Sequence, residues 1–324
     1  MESSEFAALT QVEQIQRIEI LGRKALQEFG VGPSTIVSLT HAENTTYRVS
    51  TAEGEFCLRV CRPGYQSDAN VASEIALVGA MRSAGLDVPR PYQDRVVKVS
   101  VPEVPEPRNC VLLGWQEGDF AEGALPAGQA EKVGEAMARM HDFAALWTVP
   151  ADFERQDLHA WADRKVAFES PNPTIEEELR QLLLEVADES RTLLRSLPRD
   201  QAHYGLIHGD LHRGNVLFEG EAIRIIDFDD TGWAYWLADF SAALTYEVRF
   251  DNFAEVRNAM LAGYEKVRPL PPETERLLPY FIRMRCMTVC EWVAQRSDNP
   301  QLREEAPKWI QQLCEIVRKT RATS

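Results

Sequence analysis

The hydrophobic period of this chain changes once, near residue 115, and that change constrains the fold more than any other feature of the sequence. Before it, apolar and β-branched residues form short strand-like runs, near residues 35–40, 45–51, 55–61, 95–101 and 109–115. After it, apolar residues recur mostly at helical spacing, near residues 129–147, 174–197, 234–248, 252–267, 273–296 and 301–320. Because strands and helices are segregated along the chain, the pattern predicts an α+β fold.

The strand-rich region also contains two helical patterns. A capping box at Thr10 begins the first, over about residues 10–30, and the second runs from Asn70 to Gly85. A chain of 324 residues is long enough for about two domains. We therefore expect two lobes: a small N-terminal lobe of antiparallel sheet plus helix over residues 1–115, and a larger, mainly helical C-terminal lobe over residues 116–324.

Composition excludes several classes of protein. The 50 acidic residues exceed the 35 basic ones and give a net charge of −15, which argues against binding nucleic acid or an anionic membrane through a broad basic surface. No stretch reaches the roughly 18 apolar residues that a membrane span needs. The first residues lack the pattern of a signal peptide, so we expect a cytoplasmic protein. Cys57, Cys61, Cys286 and Cys290 are expected to be buried, reduced thiols. The oligomeric state of the protein is not predicted.

The densest cluster of reactive side chains lies between residues 208 and 230. His208-Gly-Asp-Leu-His-Arg-Gly-Asn215 is followed by a hairpin signal and then by Ile225-Ile-Asp-Phe-Asp-Asp230. Two carboxylates and an amide are oxygen ligands of the kind that Mg²⁺ binds beside phosphates. Phosphoryl transfer needs such a metal and a carboxylate that accepts the proton of the attacking hydroxyl.

These two motifs resemble the signature of the aminoglycoside phosphotransferase/choline kinase family, and in particular its homoserine kinase type II-like branch. The family has a protein-kinase-like fold, in which the corresponding motifs are HRDxxxxN and DFG. The resemblance implies that ATP donates the phosphoryl group, that Asp210 is the catalytic base and that Asn215 and Asp227 hold Mg²⁺. It also implies that His208 holds the loop and that Asp229 contacts a second metal or the acceptor.

A charged residue interrupts an otherwise apolar strand upstream. Arg59 lies within Phe56-Cys-Leu-Arg-Val-Cys61, and a buried cation must be paired or bound to a ligand. Its natural partner is Glu74, in the apolar stripe of the following helix, where a solvated carboxylate is not expected. The resemblance gives this pair the role of the kinase lysine and glutamate that position the α- and β-phosphates, with Arg in place of Lys. The alternative is a buried ion pair that binds no nucleotide.

The sequence has no glycine-rich loop where the resemblance places the nucleotide. The corresponding turn, His41-Ala-Glu-Asn-Thr-Thr-Tyr47, resembles that of the homoserine kinase branch and implies nucleotide contacts by Asn44 and Thr45. Leu113 and Trp115 fall where the family's hinge pairs with adenine. An ordinary hairpin turn and a core strand are the alternative explanations.

Aromatic residues beside carboxylates indicate the kind of acceptor. Thr231-Gly-Trp-Ala-Tyr-Trp236 follows Asp229, and aromatic rings with nearby carboxylates suit ammonium groups. We therefore predict a small, amine-bearing and possibly cationic acceptor, contacted by Asp229 and Trp233. Packing of the rings in a core is the alternative. Further candidates for the acceptor cleft are Tyr246, Arg283 and Trp292.

The sequence thus predicts an ATP- and Mg²⁺-dependent phosphotransferase that acts on a hydroxyl of a small molecule. Three alternatives stay open. A Ser/Thr protein kinase of the bacterial stress-response type would have a long activation segment, which this chain lacks after Asp227. A catalytically silent nucleotide-binding module would explain Arg59 and the turn without glycines. A metal-dependent hydrolase would use His208, Asp210 and His212 as zinc ligands.

Overall fold

The computed structural model describes residues 1–41, 44–171, 175–296 and 300–322. Two compact units are present. The first comprises Met1–Gly118, Thr148–Arg155 and Arg224–Asp229, and the second comprises Asp119–Trp147, Gln156–Ile223 and Asp230–Ser324. These units are discontinuous along the chain, whereas the domains expected from the sequence are continuous, and that domain division stays a prediction.

An antiparallel sheet forms the centre of the first unit. Its strands pair in the order β1-β2-β3-β5-β4. The elements of this unit are α1 (Ser3–Ala7), α2 (Gln11–Glu28), β1 (Thr35–His41), β2 (Thr45–Thr51), β3 (Gly54–Val60), α3 (Asp68–Ser83), β4 (Val97–Val99) and β5 (Arg108–Gly114). The predicted meander and both predicted helices are confirmed.

Alternation along β3 separates two packed faces of this sheet. Leu58 and Val60 belong to the core cluster that α2 covers. On the other face, Val111 of β5 packs with Ile75 of α3. Because successive side chains of a strand point to opposite faces, Arg59, between Leu58 and Val60, points toward α3.

Helices dominate the remainder of the chain. Its short strands form a pair, β7–β10, and a sheet of order β6-β8-β9. In chain order the elements are β6 (Asp119–Phe120), α4 (Ala127–Leu146), α5 (Glu177–Ser196), β7 (Tyr204–Ile207), β8 (Val216–Glu219), β9 (Ala222–Ile225), β10 (Gly232–Tyr235), α6 (Leu237–Thr245), α7 (Phe253–Glu265), α8 (Thr274–Ala294) and α9 (Pro300–Ala322). The predicted hairpin and the mainly helical character of this region are confirmed.

Helices α4 and α7 pack closely enough for their backbones to meet. A Cβ atom at Gly134 of α4 would lie 2.0 Å from the carbonyl oxygen of Met260 in α7. Only glycine permits this approach. The contact fixes α4, which carries His141 near its C-terminal end, against α7.

The helix predicted over residues 234–248 is wrong at its start. Residues Gly232–Tyr235 form β10, and α6 begins only at Leu237. Trp233 pairs with Leu206 of β7, so the partner strand lies far upstream in the sequence. Local periodicity does not report such a partner, which explains the error.

Parts of two sequence predictions lie outside the described residues. These are Ala42 and Glu43 of the predicted nucleotide turn and Thr174, the predicted first residue of the α5 helix. All six cysteines lie in the described part of the chain and are free thiols. In that same part, no helix combines the length and the apolar character needed to cross a bilayer.

Candidate active site

The ion pair predicted between Arg59 and Glu74 is present in the first unit. Nη1 and Nη2 of Arg59 donate to the two carboxylate oxygens of Glu74 at 2.8 and 2.5 Å. The residues are 3% and 1% exposed, so the pair is buried and bidentate. Burial alone would lower the pKa of Arg59, but Glu74 and then Asp229 raise it well above its usual value. Arg59 is therefore a permanent buried cation.

Two further carboxylates lie near the Arg59 guanidinium. Asp227 approaches Nη1 at 3.6 Å and Asp229 approaches Nη2 at 3.9 Å. Glu74, Asp227 and Asp229 thus lie around one guanidinium. Asp227 is also the accessible carboxylate, with a 53% exposed side chain and a left-handed φ of 63° that non-glycine residues rarely adopt. An accessible carboxylate is the kind of oxygen ligand that a hard divalent cation binds.

The side chains predicted to contact the nucleotide from the β1–β2 turn contact other protein groups. Asn44 donates to a carboxylate oxygen of Asp229 at 2.7 Å and accepts from the backbone N–H of Arg62 at 3.0 Å. Thr45 is buried, and its hydroxyl lies 2.8 Å from Nδ1 of His41. Their roles toward the nucleotide stay predictions.

The predicted adenine-binding residues lie at the end of β5. Leu113 is a buried residue of the α3-side core cluster. The backbone N–H of Trp115 donates to the carbonyl of Glu55 at 3.0 Å, and the guanidinium of Arg48 lies 4.5 Å from the ring centroid of Trp115. The N–H of Trp115 is therefore engaged within the sheet, and the adenine contact stays a prediction.

A buried carboxylate holds the start of the predicted catalytic loop in the second unit. Asp239 accepts hydrogen bonds from the backbone N–H groups of His208 and Gly209, both at 2.9 Å, and lies 3.1 Å from Nε2 of His141. Gly209 has a φ of +85°, and a Cβ there would lie 2.2 Å from the carbonyl oxygen of Asp230. The loop therefore requires glycine at this position.

Short hydrogen-bonded links close the loop around Asp210. Its backbone N–H donates to Nδ1 of His208 at 3.3 Å. Nδ2 of Asn215 donates to the Asp210 carbonyl at 2.9 Å and lies 3.4 Å from its carboxylate. The spacing of five residues, which identified the motif, thus corresponds to one closed turn that fixes both side chains.

Arg285, which the sequence motifs do not predict as a site residue, contacts the Asp210 carboxylate. Nη2 of this α8 residue donates to one carboxylate oxygen, and Nε2 of His212 lies 3.4 Å from the other. Burial alone would raise the pKa of Asp210, but Arg285 and then His212 hold it well below its usual value. Asp210 is therefore an ionised carboxylate at neutral pH.

The sequence does contain a signal for Arg285. This arginine interrupts an apolar stretch of a predicted helix, between Met284 and Cys286. The residue of this helix that the sequence offers as a candidate for the acceptor cleft is Arg283. Arg283 is buried and donates to the carbonyl of Thr320 at 3.3 Å. Which of the two reaches Asp210 depends on the rotation of α8.

The histidine rings of the catalytic loop serve as hydrogen-bond acceptors for the backbone. Nδ1 of His208 accepts from Asp210, and Nδ1 of His212 accepts from the N–H of Gly214 at 2.9 Å. Across residues 1–41, 44–171, 175–296 and 300–322, no group of three or more His, Cys, Asp or Glu side chains is arranged to hold a metal ion. The Nδ1 contacts of the two rings are therefore hydrogen bonds to the backbone of the loop itself.

Trp233, predicted to contact the acceptor, lies in β10. Its N–H donates to the carbonyl of Gln156 at 2.8 Å, and its carbonyl accepts from the N–H of Leu158 at 2.9 Å. Both bonds go to the segment around Asp157, which pairs with Trp233 on the side away from β7, and the residue is partly exposed. Contact with the acceptor stays a prediction.

Known proteins resemble this chain over most of its length. Residues 35–280 match the model of the phosphotransferase enzyme family. Homoserine kinase of Polaromonas naphthalenivorans (strain CJ2) is 30% identical over 252 residues, which cover 73% of this chain and 74% of that enzyme. The structure of a microcompartment-associated aminopropanol kinase has a TM-score of 0.81 at 26% identity and covers 94% of this chain and 98% of that one. The structure of amicoumacin kinase hAmiN in complex with AMP-PNP, Ca²⁺ and Ami has a TM-score of 0.77 at 19% identity, with 94% and 96% covered. Both structural likenesses confirm the predicted fold class.

Proposed function

Since this chain belongs to the phosphotransferase enzyme family, we propose that it transfers the γ-phosphoryl group of ATP to a hydroxyl of a small, amine-bearing molecule. Membership makes it a kinase with an alcohol group as acceptor, as the sequence motifs predicted. The observation that carries the proposal is the Asp210 carboxylate, which a closed loop orients and Arg285 keeps ionised.

Asp210 is the proposed catalytic base. An ionised carboxylate accepts a hydrogen bond from the acceptor hydroxyl, orients its oxygen for in-line attack and receives its proton. The transition state of phosphoryl transfer is loose and demands little basicity, so a carboxylate with a lowered pKa is suited to this role. The Asn215 amide fixes the carbonyl and approaches the carboxylate of the same residue.

The first unit supplies the proposed nucleotide contacts. Arg59, held by Glu74, is proposed to position the phosphates through its charge. Its Nε is buried and has no hydrogen-bond partner among the residues described. The contacts of Asn44, Thr45, Leu113 and Trp115 with the nucleotide are proposed from the family resemblance alone.

Asn215 and Asp227 are the proposed magnesium ligands. The Nδ2 atom of Asn215 is used by Asp210, which leaves the amide oxygen as the atom suited to a hard cation. When bound, Mg²⁺ would neutralise charge that develops on the transferred phosphoryl group. The Ca²⁺ and AMP-PNP in the amicoumacin kinase structure support a divalent ion with a nucleotide in this fold.

Names of relatives support an amino alcohol as the acceptor. Aminopropanol and homoserine, which name two of them, each carry an amino group and a hydroxyl. Trp233 and Asp229 are the residues that the sequence predicts beside the acceptor, and an aromatic ring suits an ammonium group.

An acceptor screen tests this function. ADP release from Mg²⁺-ATP would be measured with 1-amino-2-propanol, ethanolamine, choline, homoserine and an amino sugar, with Asp210→Asn protein as the blank. 1,2-Propanediol serves as the matched compound without an amine. We expect release above the blank with at least one amine-bearing alcohol and less with the diol. Transfer only to a protein substrate would support the protein kinase alternative, and tight nucleotide binding without any transfer would support the silent module.

A further inference from the structure

Asp229 is engaged at both its carboxylate and its carbonyl group within the first unit. The carboxylate accepts from Asn44 at 2.7 Å and faces Arg59 at 3.9 Å. The carbonyl accepts from Nε2 of Gln66 at 3.1 Å and from the Arg155 guanidinium. Four side chains from separate parts of the chain therefore converge on this one residue.

Exposure separates Asp229 from its neighbour Asp227. The Asp227 side chain is 53% exposed, whereas that of Asp229 is 8% exposed. The Asp227 carboxylate is therefore much the more accessible of the two to a ligand in solution. Asp229 therefore has the surroundings of a residue that holds other residues in place.

Asn44 is the residue that Asp229 holds. One end of its amide donates to the Asp229 carboxylate, and the other end accepts from the N–H of Arg62, just beyond β3. Hydrogen bonds to a charged acceptor are the stronger kind. One amide thus links the residue before β2 to the end of β3, the strand that carries Arg59.

We infer that Asn44 and Asp229 are a positioning pair: Asp229 acts through Asn44 to fix the start of β2 beside Arg59, and it does not contact the acceptor. The effect on ATP rests on the proposed function, whereas the hydrogen-bonded pair does not. This role differs from the acceptor contact that the sequence predicts for Asp229.

Swapping the two residue types distinguishes a need for the hydrogen bond from a need for a carboxylate at position 229. Asn44→Asp places two carboxylates against each other, and like charges at this distance repel. Asp229→Asn retains an acceptor oxygen for Asn44 and is the milder change. With both substitutions the direction of the bond reverses, because the amide now at 229 donates to the carboxylate at 44, which still accepts from Arg62.

Binding of AMP-PNP in the presence of Mg²⁺, measured by calorimetry, gives the first readout. We expect Asn44→Asp to weaken binding about tenfold or more, and the double variant to return to within about threefold of wild type. In steady-state turnover, we expect KM for ATP to be highest for Asn44→Asp and close to wild type for the double variant, while kcat changes less. Gln16→Glu, on the exposed side of α2, adds the same charge in the same unit and should change neither quantity.

Hydrogen exchange at the Arg62 amide gives a readout without ligand. Asn44→Ala removes its acceptor, so exchange should become faster, whereas the double variant should retain wild-type protection. Thermal unfolding of each variant shows that it is folded.

Two results would overturn the positioning role. One is a hydrogen-exchange rate of the Arg62 amide that is the same in Asn44→Ala as in wild type. The other is a double variant that binds AMP-PNP no better than Asn44→Asp, together with severely weakened binding in Asp229→Asn alone. That combination would show that a carboxylate is required at position 229. A wild-type protein that never uses ATP would refute the proposed function, but the exchange measurement would still test the pair.

Discussion

Arg285 acts on the proposed base in two ways. Its positive charge opposes the effect of burial, which alone would raise the pKa of Asp210, and so keeps the carboxylate ionised. The same charge makes Asp210 a weaker base. For a loose phosphoryl-transfer transition state, orientation of the hydroxyl matters more than base strength. Arg285 is thus suited to a site that orients its acceptor.

Replacement of Arg285 should change the pH dependence of catalysis. In wild type the lowered pKa of Asp210 places the acid limb of kcat/KM below about pH 4. In Arg285→Gln the burial of Asp210 is no longer opposed by this charge, so its pKa rises and the limb moves up into the measured range. Arg285→Lys keeps the charge and should retain the wild-type limb. Rates between about pH 4 and 8 measure the shift. An unchanged acid limb in Arg285→Gln would show that this guanidinium does not control the base.

Arg59 should be needed for stability as well as for nucleotide binding. Arg59→Ala leaves the Glu74 carboxylate buried without its bidentate partner, and we expect a loss of about 3–5 kcal/mol in the free energy of unfolding. Chemical denaturation measures it. The double variant Arg59→Met/Glu74→Leu removes both charges and should lose less than Arg59→Ala. Equal stability of Arg59→Ala and wild type would contradict the account of this pair.

At the scale of the elements, the sequence predicts which segments are helical better than it predicts how they are rotated. The helix expected over residues 273–296 is present as Thr274–Ala294. Arg283 and Arg285 differ by about 200° around it, and only packing decides which of them reaches Asp210. The strand Gly232–Tyr235 was likewise missed because β7 pairs with it from far upstream. The Arg59–Glu74 pair was predictable, since both charges interrupt apolar patterns.

His203 links the turn before β7 to the start of α8 and makes stability depend on pH. Its ring nitrogens lie 2.6 Å from Asp200 and 2.8 Å from Glu273. Burial lowers the pKa of His203, but hydrogen bonds to Asp200 and Glu273 outweigh it and leave the pKa raised. A raised pKa stabilises the fold fully below the unfolded value of about 6.5, and this contribution is lost as pH rises through the folded value.

His203→Gln should therefore destabilise the protein more at about pH 6 than at about pH 9. Both carboxylate pKa values are lowered, so these partners stay ionised at the lower pH. Unfolding by urea at the two pH values measures the difference. An equal loss in the free energy of unfolding at both pH values would show that protonation of His203 does not contribute to stability.

For the whole molecule, the distribution of charge agrees with the proposed acceptor. Residues 1–115 contain 14 acidic and 11 basic residues, whereas residues 116–324 contain 36 and 24. Most of the excess negative charge thus lies in the part of the chain that carries Asp210. A field of this sign attracts cationic molecules over distances of about a Debye length.

Salt should therefore weaken the use of a cationic acceptor. Between about 20 and 300 mM salt, we expect kcat/KM for an amino alcohol to fall, because screening removes long-range attraction. The value for the uncharged diol should change much less. The ratio of the two values at saturating ATP measures the effect, and a ratio independent of salt would contradict a role for net charge.

The central claim is that Asp210 is the base of an ATP-dependent phosphotransferase, and the most direct test is the Asp210→Asn variant with an acceptor found in the screen. Product phosphomonoester would be measured by ³¹P NMR, and AMP-PNP binding by calorimetry. We predict that kcat falls by about 10²–10⁴-fold while the Kd for AMP-PNP stays within about threefold of wild type. Wild-type turnover by Asp210→Asn would contradict the account.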